Sequence, residues 1–393
     1  LQTVKLVQRQ FAADGYDLEI VWGQPEWAKN GDIIALLDSS ADWGEEGYQL
    51  SVGTVTVVKS GCVDGLLYGF NMLQKFIRNS GTTLRGFTGQ DVPDTVQRAV
   101  SLDCGRKYYS KDWICNFIRQ MSWMGYNTLQ FHFSDDSGFR FDLWDEAYYK
   151  GDFQPENDFS WVCGSNYTSW TLSAYRNDPD QGKYLTTEEL VDILNTAKEY
   201  HIEIIPAFDS PSHLDYMNWS YEQNYKINPS YSFYSSYNNH TYYASDVNGI
   251  INYTNSSGWT TPLQWPYYSA INVVNEHAKA FIFELYLDIA AFFKTYSGST
   301  HFSVGADEVN LSTKNLASGY GFTWEFSDFV NYMNELNDLI NRSGYTMRMF
   351  NDFMTTQVNV ERVTGLLEQP VEADESPEVR KNFGDVLDPR TEN

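Results

Sequence analysis

Apolar and polar positions follow two different patterns in the first part of the chain. Short β-branched runs separated by glycines, "GDIIALLDSS" and "GYQLSVGTVTVVKSG", predict strands. One helical face follows them, formed by Leu66, Phe70, Leu73 and Ile77. Turn-forming residues then cluster in "GQDVPDT", residues 89–95. We therefore predict a small α+β domain over residues 1–92.

From residue 93 to residue 393 the pattern alternates between strand and helix. Five apolar runs predict strands: "RAVSLDC", "NTLQFHFSDD", "IEIIPAFD", "HFSVGADE" and "TMRMFND". The segments between them carry apolar residues at helical spacing, and one begins with a capping box formed by Thr186 and Glu189. Repeated strand–helix units are typical of a parallel sheet with crossover helices. We predict an α/β fold, a TIM-type (β/α) barrel, for this second domain.

Each predicted strand ends on polar or acidic residues. These are Asp103; Ser134, Asp135 and Asp136; Asp209; Asp307 and Glu308; Asn351 and Asp352. The carboxyl ends of the strands build the active site of a (β/α) barrel, so the acids are catalytic candidates. Asp and Asn also favour turns and helix N-caps, which explains any one of them equally well. Their recurrence at five strand ends favours an active site.

Chain length and charge narrow the function class. At 393 residues the chain exceeds the roughly 250–300 residues at which single cores stop growing, which favours one large and one smaller domain. Its 27 Lys and Arg against 52 Asp and Glu give a net charge of −25, which repels nucleic acid and anionic membranes. No run reaches the roughly 18 apolar residues of a membrane span, and the N-terminus lacks a signal-peptide pattern. We expect a soluble chain with neutral partners.

Aromatic residues make up 16% of the chain, and many of them fall in Asn- and Ser-rich stretches. Flat aromatic faces beside polar groups suit sugars, but aromatic residues also pack together. Residues 150–183, with Trp161, Trp170 and Tyr175, and residues 216–270 are either platforms for a longer glycan or a lid packed on itself. The four cysteines, Cys62, Cys104, Cys115 and Cys163, lack the close spacing of zinc or redox motifs, so we expect mostly buried thiols.

Several motifs resemble glycoside hydrolase family 20, the β-N-acetylhexosaminidases and lacto-N-biosidases. "LDCGRKYYS", "NTLQFHFSDDSGFR", "IIPAFDSPSH" and "FSVGADEV" are similar to the first four barrel strands of the family. "GEEGYQLSV" and "DGLLYGFNMLQ" are similar to the non-catalytic domain that precedes the barrel. The resemblance implies a glycan substrate, no metal and no other cofactor. For such an enzyme we expect a secreted or cell-surface location.

The resemblance also implies a mechanism for the adjacent acids Asp307 and Glu308. Most glycosidases place two carboxyl groups on opposite sides of the scissile bond, about 5–5.5 Å apart in retaining enzymes. Neighbours on a strand point opposite ways and can hardly do this. In the family the sugar's own 2-acetamido oxygen attacks C1 with retention of configuration, so one protein acid/base is enough. Glu308 then protonates the leaving oxygen, while Asp307 holds the acetamido N–H.

Four further residues take roles from the same resemblance. Arg106 matches the arginine that binds the 3- and 4-hydroxyls of the sugar, and its planar fork suits vicinal hydroxyls. Asp135 and His213 match a pair that hydrogen-bonds toward the acid/base, and Asp209 matches another acid of the same strand end. Taken alone, Arg106 is better explained by a surface salt bridge and His213 by a buried core histidine; the motifs in register favour the functional roles.

The sequence departs from the family pattern in two ways. Ser303 stands where the family has a histidine, and Ala306 stands where it has the second glycine of the fourth strand motif. No further strand and helix can be recognised after Asp352, so we expect a barrel truncated after about five strands. Three functions stay open: an exo-hexosaminidase acting on terminal β-GlcNAc or GalNAc, a lacto-N-biosidase releasing Gal-β-1,3-GlcNAc, and a catalytically inactive glycan-binding remnant.

Overall fold

The computed structural model describes residues 1–80, 83–165, 180–244, 270–309 and 326–350. The helices are α1 Gln2–Ala13, α2 Val63–Ser80, α3 Lys111–Met124, α4 Thr187–Glu199, α5 Asp215–Ile227, α6 Glu276–Tyr296 and α7 Phe326–Arg342. The strands are β1 Ile33–Leu37, β2 Tyr48–Val52, β3 Thr56–Ser60, β4 Phe87–Asp91, β5 Ala99–Asp103, β6 Thr128–His132, β7 Ser134–Asp135, β8 Gly138–Phe139, β9 Gly164–Ser165, β10 Glu203–Ala207, β11 Ser232–Ser235, β12 His240–Tyr243, β13 His301–Ser303 and β14 Thr346–Arg348.

The first part of the chain forms a four-stranded sheet covered by helices. Its strand order is β1-β3-β2-β4, with β1 and β3 parallel and the other pairs antiparallel. Helix α2 buries Leu66, Phe70 and Leu73 against the sheet as the pattern predicts, and Ile77 packs partly buried beside them. Two elements were not predicted, α1 and β4. Strand β4 has one apolar residue in five and is mostly exposed, so it leaves almost no hydrophobic signal.

The second sheet confirms the predicted strand–helix repeat. Its five strands are all parallel and stand in the order of the sequence, β5-β6-β10-β13-β14. The connecting helices bury the predicted apolar faces, among them Ile118 of α3, Phe281 of α6 and Met333 of α7. Sequential parallel order is the connectivity of a (β/α) barrel.

One long-range hydrogen bond shows that this sheet curves. Arg348, the last residue of β14, donates from Nη1 to Oε1 of Gln97, just before β5, at 2.8 Å. Five strands in a flat sheet would hold their outer members about 19 Å apart, farther than these two side chains span. The sheet therefore curls, and its first and fifth strands approach each other.

Helix caps fix where the crossover helices begin. Thr186 and Glu189 form the predicted capping box at the start of α4. Ser110 accepts a hydrogen bond from the Trp113 backbone N–H at the start of α3, and Asn275 caps α6 in the same way. Each cap stands directly before its helix. The capping residue therefore marks where the loop from the preceding strand ends and the helix begins.

The segments that follow the second and third barrel strands pack on each other where the structure describes them. Trp161 donates from Nε1 to the Tyr231 hydroxyl at 3.3 Å and stacks on Phe281 at 5.7 Å between ring centroids. This contact favours the packed lid over a sugar platform for Trp161. Trp170 and Tyr175 lie outside the described residues.

The cysteines and the helices bear on two further expectations. All four cysteines are free; Cys104 and Cys115 are buried, whereas Cys62 and Cys163 are only partly so. Within the part of the chain that the structure describes, no helix combines the length and apolarity needed to cross a membrane.

Candidate active site

The acids predicted at the first four barrel strands come together at one end of the sheet. Asp103 ends β5, Asp135 and Asp136 follow β6, Asp209 follows β10, and Asp307 and Glu308 follow β13. Because all these strands are parallel, their carboxyl ends share one edge of the barrel. The pair predicted at the fifth strand, Asn351 and Asp352, lies outside the described residues.

Asp307 and Glu308 lie in a turn, not on a strand. Strand β13 ends at Ser303, and the backbone then takes positive φ at Gly305 (62°), Ala306 (59°) and Glu308 (52°). The expectation that the two acids alternate across a strand is therefore wrong. The turn brings both carboxylates to the same imidazole: His213 Nε2 is 3.6 Å from Asp307 Oδ2 and 3.5 Å from Glu308 Oε2.

The two acids differ in their environments. The Asp307 side chain is 28% exposed and the Glu308 side chain 50% exposed. Burial acts to raise the pKa of Asp307, but the nearby charge of His213 outweighs it and lowers the pKa. The backbone carbonyl of Asp307 also accepts a hydrogen bond from Ser212 Oγ at 2.6 Å, which fixes the turn. Asp307 is therefore a positioned anion, and Glu308 is the acid that faces solvent.

His213 pairs with Asp136, and the expected pair with Asp135 is wrong. Its Nδ1 lies 3.1 Å from Asp136 Oδ2, and the other oxygen of Asp136 accepts from the Asp215 backbone N–H at 3.2 Å. The two aspartates are neighbours at the turn after β6 and point to different partners. Burial acts to lower the pKa of His213, but Asp136 and Asp307 outweigh it and raise the pKa. His213 is therefore an imidazolium facing both acids.

Asp135 faces Arg106. The Arg106 Nε lies 3.3 Å from Asp135 Oδ2 and 2.5 Å from Asp103 Oδ2, and the arginine side chain is 53% exposed. Within the described part of the chain, the two terminal nitrogens of Arg106 make no hydrogen bond. Arg106 is thus held through Nε and presents its terminal N–H groups to whatever enters the site.

His132 is a site residue that the sequence analysis missed. It is buried at the end of β6, and its Nε2 lies 3.1 Å from Asp135 Oδ2 and 3.7 Å from Asp209 Oδ2. Its position three residues before Asp135 in "FHFSDD" was the available signal. Burial acts to lower the pKa of His132, but Asp209 and Asp135 outweigh it and raise the pKa to about 9.

Asp209 is almost completely buried beneath the turn that carries Asp307. Burial raises its pKa to about 7. A Cβ at Gly305 would come within 1.9 Å of Asp209 Oδ1, so the carboxylate lies directly against the glycine backbone. Asp209 therefore requires the glycine that starts this turn.

Two groups of donors in the site are close enough to share a cation. Asp103, His132 and Asp135 form one group, and Asp135, Asp136 and His213 form the other, with donor atoms within 4.8 Å of one another. Arg106 and the two histidines already supply positive charge to these carboxylates. The arrangement thus suits proton transfer and the orientation of polar substrates.

Comparison with known proteins gives a consistent picture. The model of "Glycosyl hydrolase family 20, catalytic domain" matches residues 96–367. A lacto-N-biosidase of Bifidobacterium bifidum is 22% identical over 342 residues, which is 85% of this chain and 25% of that protein. A beta-hexosaminidase of Vibrio vulnificus is 26% identical over 152 residues, 38% of this chain and 18% of that protein. The chain therefore spans a quarter or less of these relatives.

A solved structure shows the same fold. The N-acetyl-beta-hexosaminidase of Streptomyces plicatus in complex with Thio-NAglucal superposes with a TM-score of 0.59 at 18% identity. The match covers 90% of this chain and 60% of that chain. The likeness supports the predicted α/β fold with a TIM-type barrel sheet.

Proposed function

The chain belongs to glycosyl hydrolase family 20, and from this premise we propose that it removes β-linked N-acetylhexosamine from the non-reducing ends of glycans. The observation that carries the proposal is the placement of Asp307 and Glu308 around one imidazolium. Both carboxylates lie within 3.6 Å of His213 Nε2, but the Asp307 side chain is 28% exposed whereas the Glu308 side chain is 50% exposed. Two adjacent acids in different environments suit two different tasks.

In the first step the sugar's 2-acetamido oxygen attacks C1 and the glycosidic bond breaks. Glu308 gives its proton to the departing oxygen. Positive charge develops on the acetamido group as its oxygen bonds to C1. Asp307, whose lowered pKa keeps it ionised, accepts a hydrogen bond from the acetamido N–H and stabilises that charge.

In the second step water opens the cyclic intermediate. Glu308, now ionised, takes a proton from the water as its oxygen attacks C1, and the acetamido group is restored. Two displacements at C1 return the original configuration, so the product retains its anomeric form. His213, held by Asp136, lies beside Glu308 in both steps.

Arg106 binds the non-reducing sugar in this proposal. Its Nε is fixed by Asp103 and Asp135, which leaves the terminal nitrogens for the 3- and 4-hydroxyls. The adjacent carboxylates neutralise the arginine, so the site favours neutral sugars.

Two aryl glycosides and product analysis test the proposal. We expect release of p-nitrophenol from the β-GlcNAc glycoside, much slower release from the β-glucoside with a plain 2-hydroxyl, and a β-anomer as first product by NMR. The expectation rests on intramolecular attack, whose effective molarity reaches about 10⁵ M in well-oriented cases. An α-anomer, or equal rates on both glycosides, would contradict substrate assistance.

A second candidate function is that of a lacto-N-biosidase. Similarity to the Bifidobacterium bifidum lacto-N-biosidase extends over 85% of the chain, against 38% for the Vibrio vulnificus hexosaminidase. The p-nitrophenyl glycoside of Gal-β-1,3-GlcNAc separates the two, because a pocket closed beyond Arg106 excludes the added galactose. Hydrolysis of neither substrate, with sugar binding intact, would leave the inactive remnant.

A further inference from the structure

We propose that His132 is a positioning residue that connects the sugar-binding arginine to the turn carrying Asp307 and Glu308. The inference rests on the proposed function and adds a residue to it. His132 touches neither the sugar nor the reacting atoms; it acts through Asp135 on one side and Asp209 on the other. Three observations carry the proposal: a shared acceptor, a buried contact with the turn, and the charges that surround the imidazole.

The shared acceptor is the Oδ2 atom of Asp135. His132 Nε2 lies 3.1 Å from it, and Arg106 Nε lies 3.3 Å from it. The other oxygen of Asp135 accepts from the Asp136 backbone N–H at 2.7 Å. His132 therefore helps to hold the carboxylate on which Arg106 rests. Without the imidazole, the half-exposed arginine would be the one side-chain partner left to that oxygen among the residues that the structure describes.

The contact with the turn runs through Asp209. His132 Nε2 is 3.7 Å from Asp209 Oδ2, while Asp209 Oδ1 lies against Gly305 and finds no hydrogen-bond donor among the described residues. Gly305 stands two residues before Asp307. A shift of the Asp209 carboxylate would thus be transmitted to the backbone that places the two candidate catalytic acids.

The charges around His132 come from every strand end that packs against it. Asp103 of β5, Asp135 after β6, Asp209 after β10 and Asp307 after β13 are acidic, and Arg106 is the cation beside Asp135. If His132 were neutral, these acids would lose one of their positively charged neighbours. The pKa of His132 is raised to about 9 and that of Asp209 to about 7, so both are charged between these two values.

Two substitutions separate positioning from folding. His132→Gln keeps a donor for Asp135 but never carries charge, and His132→Ala removes both. For folded enzyme we expect His132→Gln to lower kcat/KM by about 10-fold to 100-fold, mostly through KM, because Gln loses the positive charge that strengthens the contacts with Asp135 and Asp209. His132→Ala should raise KM further. We expect kcat/KM of the wild type to fall near pH 9, where His132 loses its charge, and we expect this fall to be absent in both variants.

His301 supplies a matched control. It is also a histidine of a barrel strand paired with a carboxylate, with Nδ1 at 3.0 Å from Glu203 Oε1, but it stands at the amino end of β13. His301→Gln should leave KM and the alkaline limb unchanged. If His132→Gln and His301→Gln change only thermal stability, with wild-type KM, then His132 is merely structural and the proposal fails.

A titration that needs no turnover completes the test. The chain has six histidines, so selective ¹⁵N-histidine labelling gives a spectrum in which His132→Gln identifies one resonance. We expect that resonance to titrate near pH 9 in wild type and at lower pH in Asp209→Asn, since removing the carboxylate removes its main attraction. Titration near pH 6.5 in both proteins would overturn the proposal.

The same titration keeps the two proposals apart. Loss of all hydrolysis, with His132 still titrating near pH 9 and GlcNAc binding still weakened by His132→Gln, would reject the proposed function alone. If hydrolysis is normal and the pH at which His132 titrates is the same in wild type and in Asp209→Asn, the positioning role alone is rejected.

Discussion

The two ends of the barrel sheet carry charged residues in opposite ways. At the amino end, Glu203 meets His301 at 3.0 Å and Thr300 at 2.7 Å, and its side chain stays 27% exposed. At the carboxyl end, Asp135, Asp136 and Asp209 are buried close to one another. Strands of the same direction thus begin at a partly exposed ion pair on one side of the sheet and end at a buried acidic cluster on the other.

The direction of the pKa shifts shows what this difference means. Burial acts to raise the pKa of Glu203, but His301 and Thr300 outweigh it and lower the pKa. For Asp136 and Asp209 burial wins over the nearby histidines, and their pKa values rise. Glu203 at the amino end is therefore stabilised as an anion. At the carboxyl end, burial disfavours the ionised forms of Asp136 and Asp209. Such perturbed groups are typical of functional sites.

Backbone strain separates the two ends as well. At the amino end, His201 has a φ of 57°, but it follows α4, where a left-handed residue commonly ends a helix. At the carboxyl end, His213, Ala306 and Glu308 have φ between 52° and 59° and end no helix. Residues held in this region cost free energy and concentrate at active sites.

The largest expected effect comes from the carboxyl end. Glu308→Gln should lower turnover of a natural glycan by about 10²-fold to 10⁴-fold, because it removes the proton donor. On the p-nitrophenyl glycoside the loss should be smaller, since that leaving group needs little protonation. Asp307→Asn should lower turnover of both substrates alike, because acetamido attack accompanies the departure of either leaving group. Initial rates on the two substrates measure this difference.

Asp103→Asn serves as the matched carboxylate control, since Asp103 contacts Arg106 and not His213. Asp103→Asn should raise KM. The ratio of turnover between the natural glycan and the p-nitrophenyl glycoside should stay that of wild type. If either the Glu308 or the Asp307 variant keeps more than about a tenth of wild-type turnover of the natural glycan, a loss of less than about 1.4 kcal/mol, its assigned role is wrong.

Much of the fold could be predicted because its signals are local. Five apolar runs with helical segments between them reproduce the order of the parallel sheet, and Thr186 with Glu189 marks a helix start that the structure confirms. Strand β4 could not be predicted, because Thr88 to Asp91 offer no apolar position and the strand is held by pairing with β2. Pairing between distant segments leaves no local pattern.

The site shows a sharper limit. The acids could be predicted at the strand ends, but not which partner each would face. Asp135 and Asp136 are chemically identical neighbours, and only the turn after β6 sends one to Arg106 and the other to His213. Likewise, the backbone turn after Ser303, which brings Asp307 and Glu308 to one imidazole, depends on Asp209 lying against Gly305. These are long-range contacts that no spacing rule contains.

A pair of neighbouring substitutions sharpens the strain argument, with a smaller expected effect. Gly305→Ala should lower the free energy of unfolding by about 2–5 kcal/mol, because a left-handed alanine costs about 1–2 kcal/mol and the clash with Asp209 adds about 1–3 kcal/mol. Ala306→Gly should change it by roughly 0–1 kcal/mol in the stabilising direction, since the relief exceeds the added chain entropy. Urea unfolding of both variants measures the contrast.

Those two substitutions change one methyl group each at adjacent left-handed positions, so each is the control for the other. Equal destabilisation by both would show that the turn does not depend on its glycine contact with Asp209. Activity lost in Gly305→Ala at temperatures where the protein is fully folded would extend the contrast from stability to catalysis.

The smallest effect is expected at the amino end, where Glu203→Gln removes the carboxylate facing His301. Partly exposed pairs contribute about 0–1 kcal/mol, so the free energy of unfolding at pH 7 should fall by no more than that. The folded pKa of Glu203 is lowered below 4.5, so its contribution is present above pH 4.5 and disappears as the pH falls through the folded value. Wild type and variant should therefore differ at pH 7 and converge as the pH falls below the folded pKa of Glu203, with kcat/KM unchanged at neutral pH. A loss of activity comparable to that of the carboxyl-end variants would mean that the two ends of the sheet are not functionally distinct.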